Sequence, residues 1–585
     1  MPRTALLVLV KTMRNYYRVN TPPPADIDKK SAHIVGGGIG GLAAAVFLVD
    51  DAHMPGKRIT VYEQLHVTGG ALDGAGDHKT GYTARGDREQ HESMECLWYL
   101  CAKIPSLYSP GMTILDETYE SNVQEPINAK FRLMANRGQP YSAGEELMSD
   151  EDGRKMIKLW LTPEEKLENL ALADWFTPEF FSKSAFWHAW SSIYAFWPDH
   201  ALIEGRRYLL RYAEISPANL HGILHYKYNQ YDSVAKPIHV WLERQGVQFR
   251  TGTTVTDIET SDKDGKTLAT GLKFRDAKGE HRLGLTRDDL VFFTNGSLVQ
   301  NSTHGDNNTV VKFDRNTADR GCFTVWEKMA ARNPKFGKPE VFLSNVDRSG
   351  WISYYVTIKG DPTFFDYMEA KTGNAPNTGG LIAVVDSPWR LNFALFSKTF
   401  PDQPDAVQTL QGYAQIMNKP GVYIKKPMTE CTGAEIFAEL LYHCGLNDGQ
   451  IKSTVSHSFV HTFALPYIVA EFMPRRVSDR PKVIPDGCVN LAFLGQFAEV
   501  PGDVVFTTEC SVRSAMMAVW GLTGLKKPMM PLPEAYFDVR VLALNAKIMR
   551  GRDKLTPEDL KALAGSSSPE IVSLLSEVLN SAKLP

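Results

Sequence analysis

Residues 84–98, ARGDREQHESMECLW, carry seven ionisable side chains in fifteen positions. They are Arg85, Asp87, Arg88, Glu89, His91, Glu92 and Glu95. A carboxylate held between cations can accept a proton from a reacting group, so general base chemistry is one interpretation. A solvated surface helix is the other, because charge-rich runs usually face water. The stretch follows directly on a glycine-containing segment, HVTGGALDG (66–74), and the surrounding elements decide between the two.

The most informative glycine motif lies in AHIVGGGIGGLAAAVFLVDD (32–51). A short apolar strand runs into Gly36, Gly38 and Gly41 in GxGxxG spacing, with Gly40 inside the turn, and an alanine-rich helix follows. The first glycine permits a tight turn, the second lets a pyrophosphate approach, and the third lets the helix pack on the strand. The helix N-terminus then faces the anion. The motif predicts a dinucleotide site, although by itself it has low specificity.

A second predicted strand, RITVYEQ (58–64), contains Glu63, which comes 22 residues after Gly41. A carboxylate at this place accepts hydrogen bonds from ribose hydroxyls and repels a 2′-phosphate, which disfavours NADP. Gly69 and Gly70 follow. This second glycine pair lets the backbone approach the dinucleotide again, which favours FAD over NAD.

Two later segments have the form of further cofactor-binding elements. In LVFFTNGS (290–297) a buried strand leads into Asn295, and in VNLAFLGQ (489–496) a strand leads into Gly495. A helix is predicted to open near Thr507, where its N–H groups can stabilise negative charge on a reduced flavin. The residues predicted to bind FAD on these grounds are Gly36, Gly38, Gly40, Gly41, Glu63, Gly69, Gly70, Asn295, Gly495, Val505, Phe506, Thr507 and Ser511.

The composition indicates a folded, cytosolic protein of several domains. The chain has 585 residues, 43% hydrophobic and 22% charged, and a formal charge of −3, which gives no basic surface for nucleic acid. Its seven cysteines form no CxxC pair, so reduced thiols and no metal site are expected. The start, MPRTALLVLVKTMR, is predicted to be a mature segment, and no stretch approaches the ~20 apolar residues that span a bilayer.

Ten aromatic residues lie within residues 175–200. Trp187, Trp190, Tyr194 and Trp197 recur at spacings of 3, 4 and 3, which predicts one face of a helix. Such a face is either the wall of a tunnel for a long apolar ligand or an ordinary core contact.

Near the C-terminus, Thr556-Pro557 and Ser568-Pro569 predict the starts of two short helices. The second helix has an apolar stripe of Ile571, Leu574, Leu575, Val578 and Leu579. Peripheral contact with a membrane surface, contact with a partner subunit and packing on the chain's own domain are the three alternatives for it. The oligomeric state stays open.

Together these patterns predict an α/β fold with a discontinuous, Rossmann-type FAD-binding domain made of residues 31–140, 236–310 and 485–535. An aromatic-rich helical lid (141–235) and a substrate-binding domain (311–484) are inserted. An N-terminal segment (1–30) and a C-terminal helical segment (536–585) flank them.

The sequence resembles the oleate hydratase (fatty acid hydratase) family, flavoproteins once called myosin-cross-reactive antigens. The likeness extends over about residues 31–535 and depends on several strings. They are ARGDREQ with ECLW, YNQYDS, FTNGS with NSTHGD, ELLYHCG, FMPRR and FLGQFAEVPGDVVFTTECSVRSAMMAV. The resemblance implies hydration of the cis double bond of a free unsaturated fatty acid such as oleate, giving the 10-hydroxy acid, with FAD most active when reduced.

The resemblance also implies roles for individual residues. The charged stretch corresponds to a loop that folds over the flavin, with Arg88 at the cofactor and Glu89 activating water. Tyr208 is the matching proton donor, and Tyr212, Tyr228 and Tyr231 are alternatives. Gln230 matches a residue that binds the fatty carboxylate, and Tyr228, Trp190 and Asn392 are further candidates for contact with substrate.

The sequence departs from the family pattern at several of these places. Asp87 replaces a glycine of the loop and Gln90 a methionine, so loop closure is expected to differ. The strand that carries further carboxylate ligands in the family reads NFALFSKTF (392–400) here, and Asn392, Ser397, Lys398 or Thr399 are candidate replacements. A flavin redox enzyme or double-bond isomerase on an apolar substrate, and a non-enzymatic lipid carrier, are the competing hypotheses.

Overall fold

The computed structural model describes residues 21–141, 148–212, 215, 220 and 222–532. The C-terminal helices predicted at Thr556 and Ser568 lie outside these residues, as does most of the N-terminal segment.

The central sheet consists of five parallel strands from distant parts of the chain. Their order is Leu491–Leu494, Asp289–Thr294, Ser31–Val35, Ile59–Tyr62 and Gln248–Arg250. Nearly every residue of the inner strands is buried, as expected for a parallel sheet covered on both faces. The helices Ile39–Asp50 and Thr508–Thr523 pack on this sheet and on each other. The fold is therefore the predicted α/β fold.

A second, mixed sheet has eight strands. Their order is Thr303–Gly305, Ser458–Leu465, Trp351–Lys359, Val407–Ala414, Leu391–Phe396, Ile382–Val384, Leu133–Ala135 and Gln139–Pro140. The strands at 133–140 fall within a segment predicted to belong to the FAD-binding domain, but they pair with this sheet. Residues of its strands Trp351–Lys359, Leu391–Phe396 and Val407–Ala414 line the apolar cavity described below.

The remaining strands of the described chain form three smaller sheets. An antiparallel sheet is formed by Thr254–Lys263, Lys266–Asp276 and Gly279–Gly284. A hairpin joins Ala75–Asp77 with Gly81–Thr83, and a second antiparallel pair joins Gln90–His91 with the distant Ile223–Leu224. The second pair anchors the middle of the charged stretch, directly after Glu89.

The remaining α-helices surround the sheets. They are Glu95–Cys101, Ile114–Gln124, Asp150–Leu161, Pro178–Lys183, Ala185–Tyr194, Leu202–Arg211, Lys236–Arg244, Cys322–Arg332, Glu340–Leu343, Val346–Ser349, Thr363–Thr372, Gly433–Cys444 and Asp448–Ser456. Within the described part of the chain, none has the length and apolar character to cross a bilayer.

The aromatic helix is shorter than its spacing predicts. It begins after Ser184, whose hydroxyl accepts from the Trp187 N–H at 3.2 Å, and ends at Tyr194 because Ala195 takes a left-handed φ of 60°. Trp197 therefore lies outside the helix, and the predicted face of four aromatic residues is wrong at its last member.

Candidate functional site

The glycine turn forms one side of a cavity of about 270 Å³. Gly36, Gly69 and Gly70 all have positive φ, which favours glycine at each place. A Cβ on Gly70 would lie 3.0 Å from the Cα of Gly38, and one on Gly41 would clash with the Gly36 carbonyl oxygen. The two glycine segments therefore pack against each other only because they lack side chains.

This cavity fits a dinucleotide. In the described structure no side chain caps the helix that begins after Gly38, so its first N–H groups are free to bind a phosphate. Thr294 lines the cavity, and its buried Oγ1 has no partner among the described residues. Gly40, Gly495 and Ser511 complete the wall, as predicted for cofactor-binding residues.

Glu63 lines the same cavity. Its carboxylate accepts from the backbone N–H groups of Gly37 and Leu65, both at 2.8 Å. Burial raises the pKa of Glu63, while the bonds from Leu65 and Gly37 lower it. An acceptor fixed in this way suits the ribose hydroxyls of a dinucleotide and excludes a 2′-phosphate.

The segment before the helix Thr508–Thr523 joins the cavity to its neighbour. Thr507 is the N-cap, and its hydroxyl accepts from the Cys510 N–H at 3.2 Å. Phe506 has a φ of 69°, which is strained for a residue with a bulky side chain. Its N–H donates to Gln496 Oε1 at 2.5 Å, which holds this conformation.

Asn295 lies behind the cavity rather than on its wall. It is fully buried, and its Nδ2 donates to the Phe497 carbonyl at 3.0 Å. We interpret it as a residue that fixes the end of the strand Asp289–Thr294.

The charged loop separates the dinucleotide cavity from a second cavity. Arg85 and Arg88 line both. Arg85 donates to Asp73 Oδ2 at 2.5 Å and to the Gly70 carbonyl at 2.9 Å, and Arg88 donates to the Ala71 carbonyl at 3.0 Å. Both arginines thus bind the loop to the second glycine segment, which explains why the charged and glycine-containing stretches are adjacent in sequence.

The second cavity has a volume of about 120 Å³ and is mainly apolar. Apolar and aromatic side chains of several elements line it, including Ile193, Tyr194, Ile215, Trp351, Ala394, Phe396, Tyr413, Ile468 and Phe506. Glu89, Tyr208 and Tyr212 also face it. An apolar cavity with a few polar groups is typical of a site for a small apolar ligand.

Glu89 is an acid in surroundings that disfavour its charge. Burial raises its pKa to about 7; the charge of Arg132 lowers it, that of Asp87 raises it and that of His225 lowers it. By its accessible surface the residue is half-buried, and it lines the cavity. Arg132 is held by the Ala189 carbonyl and the Ser192 hydroxyl, each at 3.1 Å. Glu89 can therefore exchange a proton near neutral pH.

The two tyrosines of the cavity differ in their hydrogen bonds. Tyr208 donates its hydroxyl proton to the Val505 carbonyl at 2.6 Å, so Val505 fixes the tyrosine. The buried Tyr212 hydroxyl has no partner within the described residues. Burial raises the pKa of both phenols, so both are neutral and carry a proton to give.

A third cavity of about 40 Å³ adjoins the second and shares Gly86, Asp87, Phe396 and Gln411 with it. Polar and charged side chains are among its lining residues, including Tyr228, Gln230, Lys227, Lys398 and Thr399. Groups that can bind the polar end of an amphipathic ligand therefore lie next to the apolar cavity.

Two predicted substrate residues lie elsewhere. Trp190 is a core residue that packs on Phe196 and Tyr194, with ring centroids 4.8 and 5.5 Å away. Asn392 lines a separate cavity of about 20 Å³. Its Nδ2 donates to the Arg390 carbonyl at 3.0 Å. The prediction that these two residues contact substrate is not supported by their positions.

Several residues of the site were not predicted from the sequence. Arg132, Trp351, Gln411 and Tyr413 all belong to strands of the large sheet or to the residues beside them. No local motif marks them, because they meet Glu89 only after distant segments pair.

A parallel sheet with a glycine turn, a dinucleotide cavity and an adjoining apolar cavity defines a nucleotide-cofactor protein with a second site for an apolar ligand. The chain belongs to the MCRA family, whose model matches residues 29–520. This confirms the resemblance seen in the sequence.

Two characterised relatives cover nearly the whole chain. Oleate hydratase of Streptococcus pyogenes serotype M49 (strain NZ131) is 38% identical over 548 residues, 91% of this chain and 92% of its own. Linoleate hydratase of Lactiplantibacillus plantarum is 30% identical over 542 residues, 85% and 94% of the two chains. Cyclohexylamine oxidase from Brevibacterium oxydans IH-35A is 13% identical with a TM-score of 0.47 over 85% of this chain and 99% of its own, a likeness too weak to assign a function.

Proposed function

We propose that this chain is an FAD-dependent hydratase that adds water across the cis double bond of a free unsaturated fatty acid, such as oleate, to give the 10-hydroxy acid. The observation that carries this proposal is Glu89, whose carboxylate faces the apolar cavity while the arginines of its loop line the dinucleotide cavity. The names of the relatives, oleate hydratase and linoleate hydratase, support the same reaction class.

Hydration forms one C–O and one C–H bond while the alkene π bond and one O–H bond of water break. No electrons are transferred overall. Glu89 accepts the proton of the attacking water, and its pKa of about 7 suits a base at neutral pH. Tyr208 donates the proton to the other alkene carbon, for which its hydroxyl has to turn away from the Val505 carbonyl.

FAD, when bound, supplies a charged surface beside the apolar cavity, and its reduced form is the one that the resemblance favours. The residues that would hold it are Gly36, Gly38, Gly40, Glu63, Gly69, Gly70, Arg88, Gly495 and Ser511. Arg88 also lies over the Phe506 ring at 5.7 Å, which fixes the guanidinium between the two cavities.

The experiment that tests the proposal is incubation of the purified, FAD-loaded protein with oleate. We expect a product heavier by one water, by mass spectrometry, with no consumption of oxygen or nicotinamide. Glu89→Gln should lower kcat by about 10²-fold or more while flavin absorbance remains, because the base is lost and the cofactor contacts are kept.

Glu92→Gln is the matched control, since Glu92 is an exposed acid three residues away. Full activity of Glu89→Gln would reject Glu89 as the base. Bleaching of the flavin by substrate without oxygen would instead indicate a redox enzyme, and tight oleate binding without product would indicate a lipid carrier.

A further inference from the structure

Asp87 is the acidic residue that distinguishes this loop, and it is bound to the side chain of Gln230. Gln230 Nε2 donates to Asp87 Oδ1 at 2.7 Å and lies 3.4 Å from the Gly86 carbonyl oxygen. Because both neighbours of this end of the amide are oxygen acceptors, it must be the nitrogen and not the oxygen. The N–H groups of Gln230 are therefore directed at the loop.

The other end of the amide is an acceptor. Gln230 is only 2% exposed, and its Oε1 has no hydrogen-bond partner in the part of the chain that the structure describes. The N–H groups of Gln230 are directed at Asp87 and Gly86, so a fatty carboxylate that approached it would find no free donor and would meet the exposed Asp87 carboxylate. An acceptor facing an anion without a donor between them is unfavourable, so Gln230 is a poor ligand for the fatty carboxylate here.

Lys227 and Lys398, which line the same cavity as Gln230, carry ammonium donors. Neither lysine is held tightly by an acid. Lys227 Nζ donates to Ser109 Oγ at 3.2 Å and lies 3.9 Å from the buried Glu117, which is long for an ion pair. Lys398 Nζ lies 3.5 Å from the almost fully exposed Asp405, and an exposed pair of this kind contributes little. Both ammonium groups can therefore turn to a ligand.

We propose that the Asp87 side chain occupies the N–H groups of the Gln230 amide, so that the carboxylate of the fatty acid is bound by Lys227 and Lys398 instead. Asp87 and the two lysines are then the specificity-determining residues for the polar end of the substrate. The inference rests on the proposed function for the identity of the substrate, but it concerns binding and not turnover.

The test measures dissociation constants of oleate and of methyl oleate for the full-length, FAD-loaded protein, by titration under conditions without turnover. The ester has the same chain without the charge. Lys227→Gln/Lys398→Gln should weaken oleate by about fivefold to tenfold and leave methyl oleate within about twofold, as expected for partly exposed charge pairs. Equal weakening of acid and ester would overturn the assignment of the lysines.

A double-mutant cycle tests the role of Asp87. Gln230→Ala should change oleate binding by less than about twofold in the wild type, because the amide is already occupied. In an Asp87→Ala background the amide is released, and Gln230→Ala should then weaken oleate by about threefold or more. An equal effect of Gln230→Ala in both backgrounds would overturn the proposal. A chain that binds oleate in this pattern but forms no hydroxy acid would contradict the hydratase function and not this inference.

Discussion

Glu89 differs from a carboxylate in water in its pKa and in its position at an apolar cavity. Burial raises its pKa to about 7, and its open side faces the apolar cavity. In the proposed role of base Glu89 must be deprotonated, so we expect kcat/KM to fall as the pH drops below about 7 and to level off above it. A profile measured between about pH 5.5 and 8.5 with a neutral methyl ester substrate separates this ionisation from that of the fatty acid.

The charges beside Glu89 set the midpoint of that profile. The Asp87 carboxylate raises the pKa of Glu89, and the Arg132 guanidinium lowers it. Asp87→Asn should therefore move the midpoint to lower pH, and Arg132→Met should move it to higher pH. Thermal unfolding of both variants controls for damage to the fold. Midpoints that stay with the wild type would show that another group titrates.

Removing the hydroxyl group of Tyr208 or of Tyr212 tests which of the two donates the proton to the alkene. Tyr208→Phe should lower kcat by about 10²-fold or more if Tyr208 gives the proton to the alkene, whereas Tyr212→Phe should keep kcat within about tenfold. Both substitutions remove only an oxygen from a buried ring. Single-turnover rates with oleate decide between them. The reverse order would move the acid role to Tyr212, whose hydroxyl is the one without a partner in the described chain.

At the scale of secondary-structure elements, the parts predicted from the sequence are those with a local signal. The strand before Gly36, the strand before Gly495 and the helix capped by Thr507 all follow from residue type and spacing within a few positions. The aromatic spacing overestimates the length of the helix, because the residue that ends it is Ala195 and not the glycine or proline that usually marks a helix end.

No local sequence signal predicts which residues of distant segments meet at the site. Arg132 directly precedes the strand Leu133–Ala135 of the large sheet, and its effect on Glu89 depends on where that sheet packs. The bond between Asp87 and Gln230 spans 143 positions in sequence. Contacts of this kind are set by long-range pairing, which residue spacing does not encode.

The charged loop is tied to the helix that starts at Thr508. Thr508 donates its hydroxyl proton to Gln90 Oε1 at 2.7 Å, and Gln90 Nε2 donates to the Arg88 carbonyl at 2.6 Å. Thr508→Val keeps the shape and removes the donor, so amides of residues 85–90 should exchange with deuterium about threefold to tenfold faster. Thr508→Ser keeps the hydroxyl and serves as the control, with exchange close to the wild type. Unchanged exchange in Thr508→Val would show that Gln90 is not what holds the loop.

At the scale of the whole molecule, a buried ionic network joins three parts of the chain. Glu204 and Arg207 lie on the helix that carries Tyr208, Arg475 follows the large sheet, and Glu499 follows the central sheet. Arg475 contacts Glu204 at 2.7 Å and Glu499 at 3.0 Å, and Arg207 contacts Glu499 at 2.7 Å. Arg475 and Glu499 thus hold the helix Leu202–Arg211 against the cofactor-binding part.

This network makes stability depend on acid pH in a defined direction. Burial alone would raise the pKa of Glu499, but Arg475, Arg207 and Arg480 together lower it to about 2, below the value of roughly 4.3 in an unfolded chain. The stabilisation is present above the unfolded value and is lost as the pH falls towards the folded one. Glu499→Gln should therefore reduce the free energy of unfolding at pH 7 by about 3–5 kcal/mol, because arginines are left buried without a counter-ion, and the difference from wild type should shrink below about pH 4. Urea unfolding at a series of pH values measures this difference in the free energy of unfolding.

Asp486→Asn is the matched control for Glu499→Gln. Asp486 pairs with Lys482 at 2.8 Å on the surface, where 83% of its side chain is exposed, and loss of this pair should cost less than about 1 kcal/mol. A loss in Glu499→Gln that is as small, or that does not vary with pH, would mean that packing and not charge holds the helix Leu202–Arg211 in place.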